Sequence, residues 1–144
     1  MISKIHSIEA DKKRRSTLLE HIKDGTIKIT TIDTIPELTV LKFLQTKGYI
    51  VGDTIIKQHF VKGVGFADFY LPKENTLIFV DGDYWHANPN MELYKRPCYY
   101  NERQSRFAFQ IRERDRQITL CAQSMGYNVV RVWENDIKKG NINL

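Results

Sequence analysis

The stretch Leu77-Ile-Phe-Val-Asp-Gly-Asp-Tyr-Trp-His-Ala-Asn-Pro89 decides the fold, because an apolar strand runs directly into a cluster of polar and aromatic residues. The four successive apolar residues from Leu77 to Val80 are typical of a strand buried on both faces, and Gly82 allows a sharp turn after it. Three groups with acid–base chemistry follow the strand: Asp81, Asp83 and His86. Carboxylates beside an imidazole, which changes charge near neutral pH, are the groups that metal-assisted hydrolysis uses. We therefore predict that this strand end forms one wall of a functional site.

The length and composition predict one globular domain. The chain has 144 residues, of which 42% are hydrophobic, and this is long enough to bury a core. No run approaches the roughly 18 apolar residues of a membrane span, and the N-terminus has no apolar signal-peptide region. We therefore expect an intracellular protein that does not contact membranes. Two cysteines, Cys98 and Cys121, with no CxxC pair, argue against a disulfide framework and a structural zinc site.

The positive charge of the chain favours a polyanionic partner. The formal net charge is +5, the run Lys12-Lys13-Arg14-Arg15 is entirely basic, and residues 95–116 hold seven basic residues and three acids. A basic surface attracts nucleic acid, but runs of this kind are also common on ordinary solvated faces. Charge alone therefore leaves nucleic-acid binding open.

Two helices, two strands and a further segment that is either a strand or a linker are expected before the central stretch. Residues 7–24 have a sparse apolar side and predict a charged helix, and Thr26–Ile32 predicts a short strand or an extended linker. Thr34-Ile-Pro-Glu37 has the pattern of a capping box, which predicts a helix over 35–47 with Leu38, Leu41 and either Leu44 or Gln45 on one face. Glu37 either closes its own helix or acts in the site. Strands are predicted near 55–60 and over 66–71.

Asp68 is the most informative acid of these strands. Strict alternation places Ala67, Phe69 and Leu71 on one face of the second strand, and puts Asp68 between aromatic residues on the other face. A buried carboxylate costs several kcal/mol unless it is paired or bound to a metal, which favours a functional role for Asp68. Antiparallel pairing with the following strand would bring it close to Val80 and Asp81.

After a polar loop over 88–100, a long helix is predicted from Asn101 to Met125. Its apolar stripe runs through five residues at helical spacing: Phe107, Ile111, Ile118, Ala122 and Met125. Asp115 lies on this buried side, so it either acts in the site or pairs with a neighbouring arginine. A strand from Tyr127 to Trp133 and a polar tail complete an α/β fold with a mixed central β-sheet flanked by helices.

Five segments resemble the successive motifs of the very-short-patch-repair mismatch endonucleases, a branch of the PD-(D/E)xK nuclease superfamily. They are Ala67-Asp-Phe69, Phe79-Val-Asp-Gly-Asp-Tyr-Trp-His86, Glu113-Arg-Asp-Arg116, Gly126-Tyr127 and Val132-Trp-Glu134. The resemblance spans about residues 34–137, and the set Glu37, Asp68, His86 and Asp115 is most similar to phage-type homing endonucleases with this fold. It implies a nuclease domain over 34–144, preceded by a basic helical extension over 1–33.

The resemblance also implies residue roles. Asp68 and the carbonyl of Val80 would bind Mg²⁺, for which Mn²⁺ would substitute, and a few such oxygens suffice because Mg²⁺ keeps several waters. His86 would activate water or stabilise the phosphorane, with Asp115 orienting its ring and Glu37 completing the acids. Asp81 stands where the mismatch enzymes have a second histidine, so it is either a further metal ligand or a changed base.

The departures from this pattern are informative. The Glu-x-Lys motif of the superfamily is absent, and Asp83 and Asn135 replace cysteines of the mismatch enzymes' zinc site, so no zinc is expected. Tyr84 and Trp85 match the aromatic pair that wedges into DNA, although Trp85 would also suit the core beneath the loop. The predicted DNA contacts are Lys12, Lys13, Arg14, Arg15, Tyr84, Trp85, Arg112 and Arg116.

We therefore expect a Mg²⁺-dependent endonuclease that cleaves double-stranded DNA, specifically a site-specific, free-standing homing endonuclease in the cytoplasm of a bacterial host, with a phage gene as a compatible source. The alternatives are a mismatch-nicking repair enzyme and a non-catalytic DNA-binding module on a nuclease scaffold. RNA is a further possible target, although no aromatic strand motif of RNA-binding domains occurs. A monomer and a homodimer both remain open.

Overall fold

The computed structural model describes residues 34–144, which form a mixed β-sheet with helices against its faces. This α/β arrangement confirms the predicted fold class at that level. The predictions for the extension over 1–33, including the helix over 7–24, the strand or linker over 26–32 and the DNA contacts at 12–15, lie outside the described residues.

Helix α1, Ile35–Thr46, begins where the sequence predicts and ends one residue before the predicted end. The hydroxyl oxygen of Thr34 accepts a hydrogen bond of 3.4 Å from the N–H of Glu37, and Gly48 follows the helix at a φ of +92° that favours glycine. The buried residues are Val40 and Leu44. The expected apolar face was wrong at Leu38, which is 40% exposed, because the helix turns its Val40–Leu44 row toward the sheet.

Within residues 34–144, the main sheet has four strands, in the order Ile56–Val61 (β1), Gly65–Leu71 (β2), Thr76–Asp81 (β3) and Asn128–Trp133 (β6). Strands β1, β2 and β3 form antiparallel pairs, and β3 pairs in parallel with β6. Leu77, Ile78 and Phe79 in β3 are all buried, as expected for a strand covered on both faces. Parallel pairing requires a crossover connection, which contains the long helix α2, Ala108–Ser124.

Strand β2 changes faces at Asp68. Ala67 packs with the cluster that contains Ala122 of α2, whereas Phe69 and Leu71 pack with the cluster that contains Val40 of α1. The prediction that these three residues share one face was therefore wrong. Pairing of β2 with β3 begins only at Phe69, and the β1 register places Gln58, with a φ of +50°, opposite Asp68. The sheet is thus irregular on both sides of this carboxylate.

Residues before α2 form a small β-ribbon, so the prediction that the helix begins at Asn101 was wrong. Strands β4 (Tyr100–Asn101) and β5 (Arg106–Phe107) pair with each other. The side-chain oxygen of Asn101 accepts a hydrogen bond of 3.1 Å from the N–H of Gln104, which closes a turn that competes with helix. Ile111 and Ala122 of the predicted stripe are buried, whereas Phe107 and Met125 are exposed.

A short helix, α3 (Glu134–Lys138), follows β6 where a polar tail was predicted. Ile137 is the reason that this segment packs, because its side chain is buried in the cluster beneath α1. None of the helices in residues 34–144 has the length and apolar character that a membrane crossing requires.

Candidate active site

One cleft, with a volume of about 580 Å³, contains all four predicted catalytic residues. The first turn of α1 contributes Glu37, β2 contributes Asp68, the loop after β3 contributes His86, and α2 contributes Asp115. Four further predicted site residues also line it: Val80, Asp81, Tyr84 and Trp85. Side chains that are as many as 78 positions apart in sequence therefore meet at the end of β3, where the opening stretch predicts a site.

Asp68 is held where β2 separates from β3. Its Oδ2 accepts a hydrogen bond of 2.7 Å from the main-chain N–H of Val80. A strand residue directs its N–H and C=O toward the same neighbouring strand, so the carbonyl of Val80 also faces the side of Asp68. The carboxylate of Asp68 thus accepts the hydrogen bond that a neighbouring strand's carbonyl would otherwise accept from Val80. The carbonyl oxygen of Val80 lies on the same side of the strand.

The environment of Asp68 disfavours its negative charge. Burial raises the pKa of its carboxyl group to about 6, although the Val80 hydrogen bond and His86 lower it, and the charges of Glu37 and Asp81 add to the increase. Burial disfavours any charge, but the nearby carboxylates of Glu37 and Asp81, which raise this pKa further, would attract a cation bound beside Asp68.

His86 lies between two carboxylates. Its Nδ1 is 2.7 Å from Oδ2 of Asp115, and its Nε2 is 3.7 Å from Oδ1 of Asp81. An ionised carboxylate only accepts hydrogen bonds, so we assign the proton on Nδ1 as the one donated to Asp115. Burial lowers the pKa of His86, but the Asp115 hydrogen bond and the charges of both acids outweigh it, so the pKa is raised.

Arg131 is a site residue that sequence reasoning missed. Its Nη1 donates to both carboxylate oxygens of Asp81 at 2.9 and 3.0 Å, and its Nε donates to the hydroxyl of Thr119 at 2.7 Å. Its Nη2 reaches the main-chain oxygen of Asp115 at 3.3 Å. An arginine within the β-rich run Asn128–Trp133 was the available signal, because a charge inside a strand needs a partner.

The cleft offers few oxygen ligands that could hold a divalent cation. Within residues 34–144 there is no ready-made group of three His, Cys, Asp or Glu side chains that could hold a metal ion. The carboxylate of Asp68 and the carbonyl of Val80 remain, and two such oxygens with water fit Mg²⁺. Asp81 already bonds Arg131 with both oxygens, so we leave it out of the proposed ligand set.

The loop that carries His86 is fixed by buried polar contacts. Asp83 and Asn88 are 7% and 1% exposed, and the amide of Asn88 donates to Asp83 Oδ1 at 2.8 Å. The same oxygen accepts a bond of 3.3 Å from the N–H of Asn135. The backbone of Gly82 does not have a positive φ. The residue of this loop with a left-handed backbone conformation is Ala87, which has a φ of +51° and is fully buried. These contacts connect the loop to the beginning of α3.

Of the two predicted wedge residues, Trp85 is the more exposed. Its side chain is 49% exposed and meets Tyr84 edge-on at 5.0 Å between ring centroids. The alternative, that Trp85 belongs to the core, is therefore wrong. Tyr84 is partly buried, and its hydroxyl donates to Asn101 at 3.3 Å.

The predicted DNA contacts on α2 lie outside the cleft lining. Arg112 is half-buried, and Arg116 is exposed. The Nε and Nη2 atoms of Arg116 donate to Glu113 at 2.9 and 2.8 Å, so this guanidinium group is already engaged. Arg112 is thus the better placed of the two to meet a phosphate.

The arrangement combines an orientated imidazole, which can accept and donate a proton, with a carboxylate–carbonyl pair, whose oxygens can bind a cation. Among residues 34–144, five carboxylate residues line the cleft, namely Glu37, Asp68, Asp81, Asp115 and Glu134. Arg131 is the one Lys or Arg residue in this described lining. No protein-family model matches this chain, and a search of curated proteins finds no significant match.

Proposed function

We propose that this protein is a Mg²⁺-dependent endonuclease that hydrolyses phosphodiester bonds of duplex DNA, as a free-standing homing endonuclease. The observation that carries the proposal is the position of His86, which is hydrogen-bonded to Asp115 in the same cleft as the Asp68–Val80 pair. This combination supports hydrolysis better than binding alone, because an imidazole orientated by a carboxylate can accept a proton from water beside oxygens that could hold a cation.

Asp68 and the carbonyl of Val80 would hold the cation, which would supply charge neutralisation at the phosphate and assistance to the leaving oxygen. The acidic lining of the cleft supports the need for a bound cation. A phosphodiester that enters a cleft with five carboxylate residues is repelled unless positive charge accompanies it.

His86 is suited to take a proton from water. Because its Nδ1 proton is donated to Asp115, the neutral ring has its free lone pair on Nε2. Asp115 fixes the ring orientation and stabilises the imidazolium that results. Glu37 lies across the cleft near Asp68, where its charge adds to the attraction for a cation.

Duplex DNA is the proposed substrate because the acidic cleft lies within a basic protein. The net charge is +5 despite the acids of the site, so the excess positive charge lies elsewhere and can meet the phosphates that flank the scissile one. Trp85, exposed beside His86, offers an aromatic face to a base.

The direct test is cleavage of supercoiled plasmids that carry segments from the gene's own genomic neighbourhood, followed by sequencing of the ends. Wild-type protein should cut with Mg²⁺ or Mn²⁺ and not with EDTA, and Asp68→Ala should bind the same DNA without cutting it. Normal turnover by Asp68→Ala would refute the site. Salt-sensitive binding without cleavage under all metal conditions would favour the non-catalytic module instead.

The exposed Trp85 keeps mismatch nicking as a second candidate function. Duplexes that differ only by one T:G mismatch separate the two. Equal cleavage of both duplexes at a defined sequence supports the homing assignment, and preferential nicking at the mismatch rules it out.

A further inference from the structure

We propose that Arg131 is a positioning residue that fixes His86 between Asp81 and Asp115 by clamping the end of β3 to the middle of α2. This inference rests on the proposed function for its catalytic consequence. The geometry of the clamp itself stands independently of that function.

The guanidinium group connects the two structural elements on either side of the imidazole. On the β3 side, its Nη1 contacts both oxygens of Asp81. On the α2 side, its Nη2 reaches the carbonyl of Asp115, and its Nε bonds Thr119 one turn later. The distance between the two acids that flank His86 is therefore set by one rigid, planar group.

Arg131 has little freedom to adopt another arrangement. Its side chain is 19% exposed, and its guanidinium carbon lies 4.5 Å from the centroid of the Phe79 ring. All three guanidinium nitrogens are used. A lysine at this position would keep the charge, but its single ammonium group cannot match the fork that reaches three different acceptors.

The clamp also explains why an acid can stand so close to the catalytic imidazole. The carboxylate of Asp81 is 3% exposed, and its pairing with Arg131 offsets part of the cost of burying its charge. Both of its oxygens are directed by Arg131, and Nε2 of His86 is left 3.7 Å away, beyond hydrogen-bonding distance. Asp81 therefore does not hold Nε2 as a hydrogen-bond donor, and the neutral ring keeps its lone pair on that nitrogen to receive the water proton.

Arg131→Lys tests the clamp, and Arg114→Lys is its matched control because Arg114 is an exposed residue on α2. We expect Arg131→Lys to lower kcat for plasmid cleavage at least tenfold while KM stays within twofold, and Arg114→Lys to change neither. A second readout is the downfield proton resonance of the His86 Nδ1–H group, assigned by its loss in His86→Gln. It should persist in Arg114→Lys and be broadened by exchange with water in Arg131→Lys.

The resonance separates the two proposals. If wild-type protein does not cut DNA but the resonance is lost in Arg131→Lys, the nuclease function fails and the positioning role stands. A folded Arg131→Lys variant with wild-type kcat, or with reduced kcat and an unchanged resonance, overturns the role. If Arg131→Lys does not fold, the double variant Asp81→Asn/Arg131→Met removes both charges together. Loss of the resonance in that variant supports the clamp, and its persistence refutes it.

Discussion

The main-chain N–H of Val80 donates its hydrogen bond to the side chain of Asp68, at 2.7 Å, and not to a strand backbone. The pairing of β2 with β3 includes Phe69 and Ile78, and Asp68 is the next residue toward the edge of the site. The carboxylate of Asp68 therefore has two roles: it satisfies a backbone N–H at the end of the sheet, and it lines the cleft. Replacing Asp68 consequently affects both the stability of the sheet end and the chemistry of the cleft, and the two effects have opposite expected signs.

Asp68→Asn should stabilise the protein above pH 6. The pKa of Asp68 is raised from 3.8 to about 6, so the folded state binds a proton that the unfolded state has released between these values. The free energy of unfolding therefore falls as pH rises through this window and stays reduced above it. The asparagine amide oxygen can still accept the Val80 hydrogen bond. We expect a gain of about 1–2 kcal/mol at pH 8, allowing for partial exposure, and none at pH 3.

Urea unfolding at pH 3, 6 and 8 measures this effect. Asp53→Asn is the control, because Asp53 is an exposed acid in the turn before β1. A stability difference between Asp68→Asn and wild type that is the same at all three pH values would contradict the assigned cause.

Divalent metal should stabilise wild-type protein through Asp68. Binding to the folded state alone adds about 2.7 kcal/mol when the metal concentration is 100 times Kd. At pH 8 we expect Mg²⁺ or Mn²⁺ to raise Tm in wild type and in Asp53→Asn, and to leave Tm of Asp68→Asn nearly unchanged. Equal increases in all three proteins would show that the metal binds elsewhere.

The parts of the fold and site that the sequence predicted are those with local signals. The capped helix of Thr34, the buried run from Leu77 to Val80 and the helical spacing that turns Asp115 inward each depend on neighbours within a few positions. The cleft residues predicted through the family resemblance also come together. The packing of the helices on the sheet then brings these locally predicted features together in the cleft.

The missed features depend on contacts between distant segments. The face change at Asp68 arises from an irregular sheet, which strict alternation cannot represent. Arg131 is paired with an acid 50 positions away, and the buried contact of Ile137 converts an apparently polar tail into a helix. The ribbon before α2 depends on the Asn101 side chain, which overrides an otherwise helical pattern.

His86→Ala should lower the cleavage rate by about 10² or more if the imidazole acts as a general base. DNA affinity should remain near the wild-type value. His59→Ala is the matched control, because His59 stacks on Tyr70 at 4.3 Å and does not line the cleft. An equal loss of rate in both variants would exclude a special role for His86.

The pH dependence of cleavage should reflect the environment of His86. Its pKa is raised above 6.5 by the balance of the Asp115 hydrogen bond and the two acidic charges against burial. A general base must be neutral, so the rate in wild type should rise with pH through a value above 6.5. The same raised pKa means that its contribution to stability is present below pH 6.5 and is lost above the folded-state pKa. A rate that is independent of pH between 6 and 9 would contradict this role.

Glu113→Gln should strengthen DNA binding, because it releases the guanidinium group of Arg116. Hydrogen bonds from Arg116 and Gln117 lower the pKa of Glu113 to about 2, so the acid is ionised at any assay pH. We expect tighter binding and a salt dependence steeper by about one unit in the slope of log K against log salt. Arg112→Ala should weaken binding and flatten the slope. Fluorescence anisotropy between 50 and 300 mM salt measures the affinity and its salt dependence for each variant. The double variant Glu113→Gln/Arg116→Ala is the control: it lacks the released guanidinium group, so its affinity should equal that of wild type.

Trp85 should report on DNA binding through its own fluorescence. The chain has two tryptophans, so Trp133→Phe leaves Trp85 as the single indole, with half of its side chain exposed to water. Stacking against a base removes the ring from water and quenches its emission, so we expect a saturable loss of intensity when the cleavage-site duplex is added. The reciprocal variant Trp85→Phe leaves Trp133, whose ring is only partly exposed at the end of β6, and should change little. If DNA binds Trp133→Phe with normal affinity but leaves its emission unchanged, Trp85 is not in contact with bases. The wedge assignment would then be wrong, while the roles of Asp68 and His86 would be unaffected.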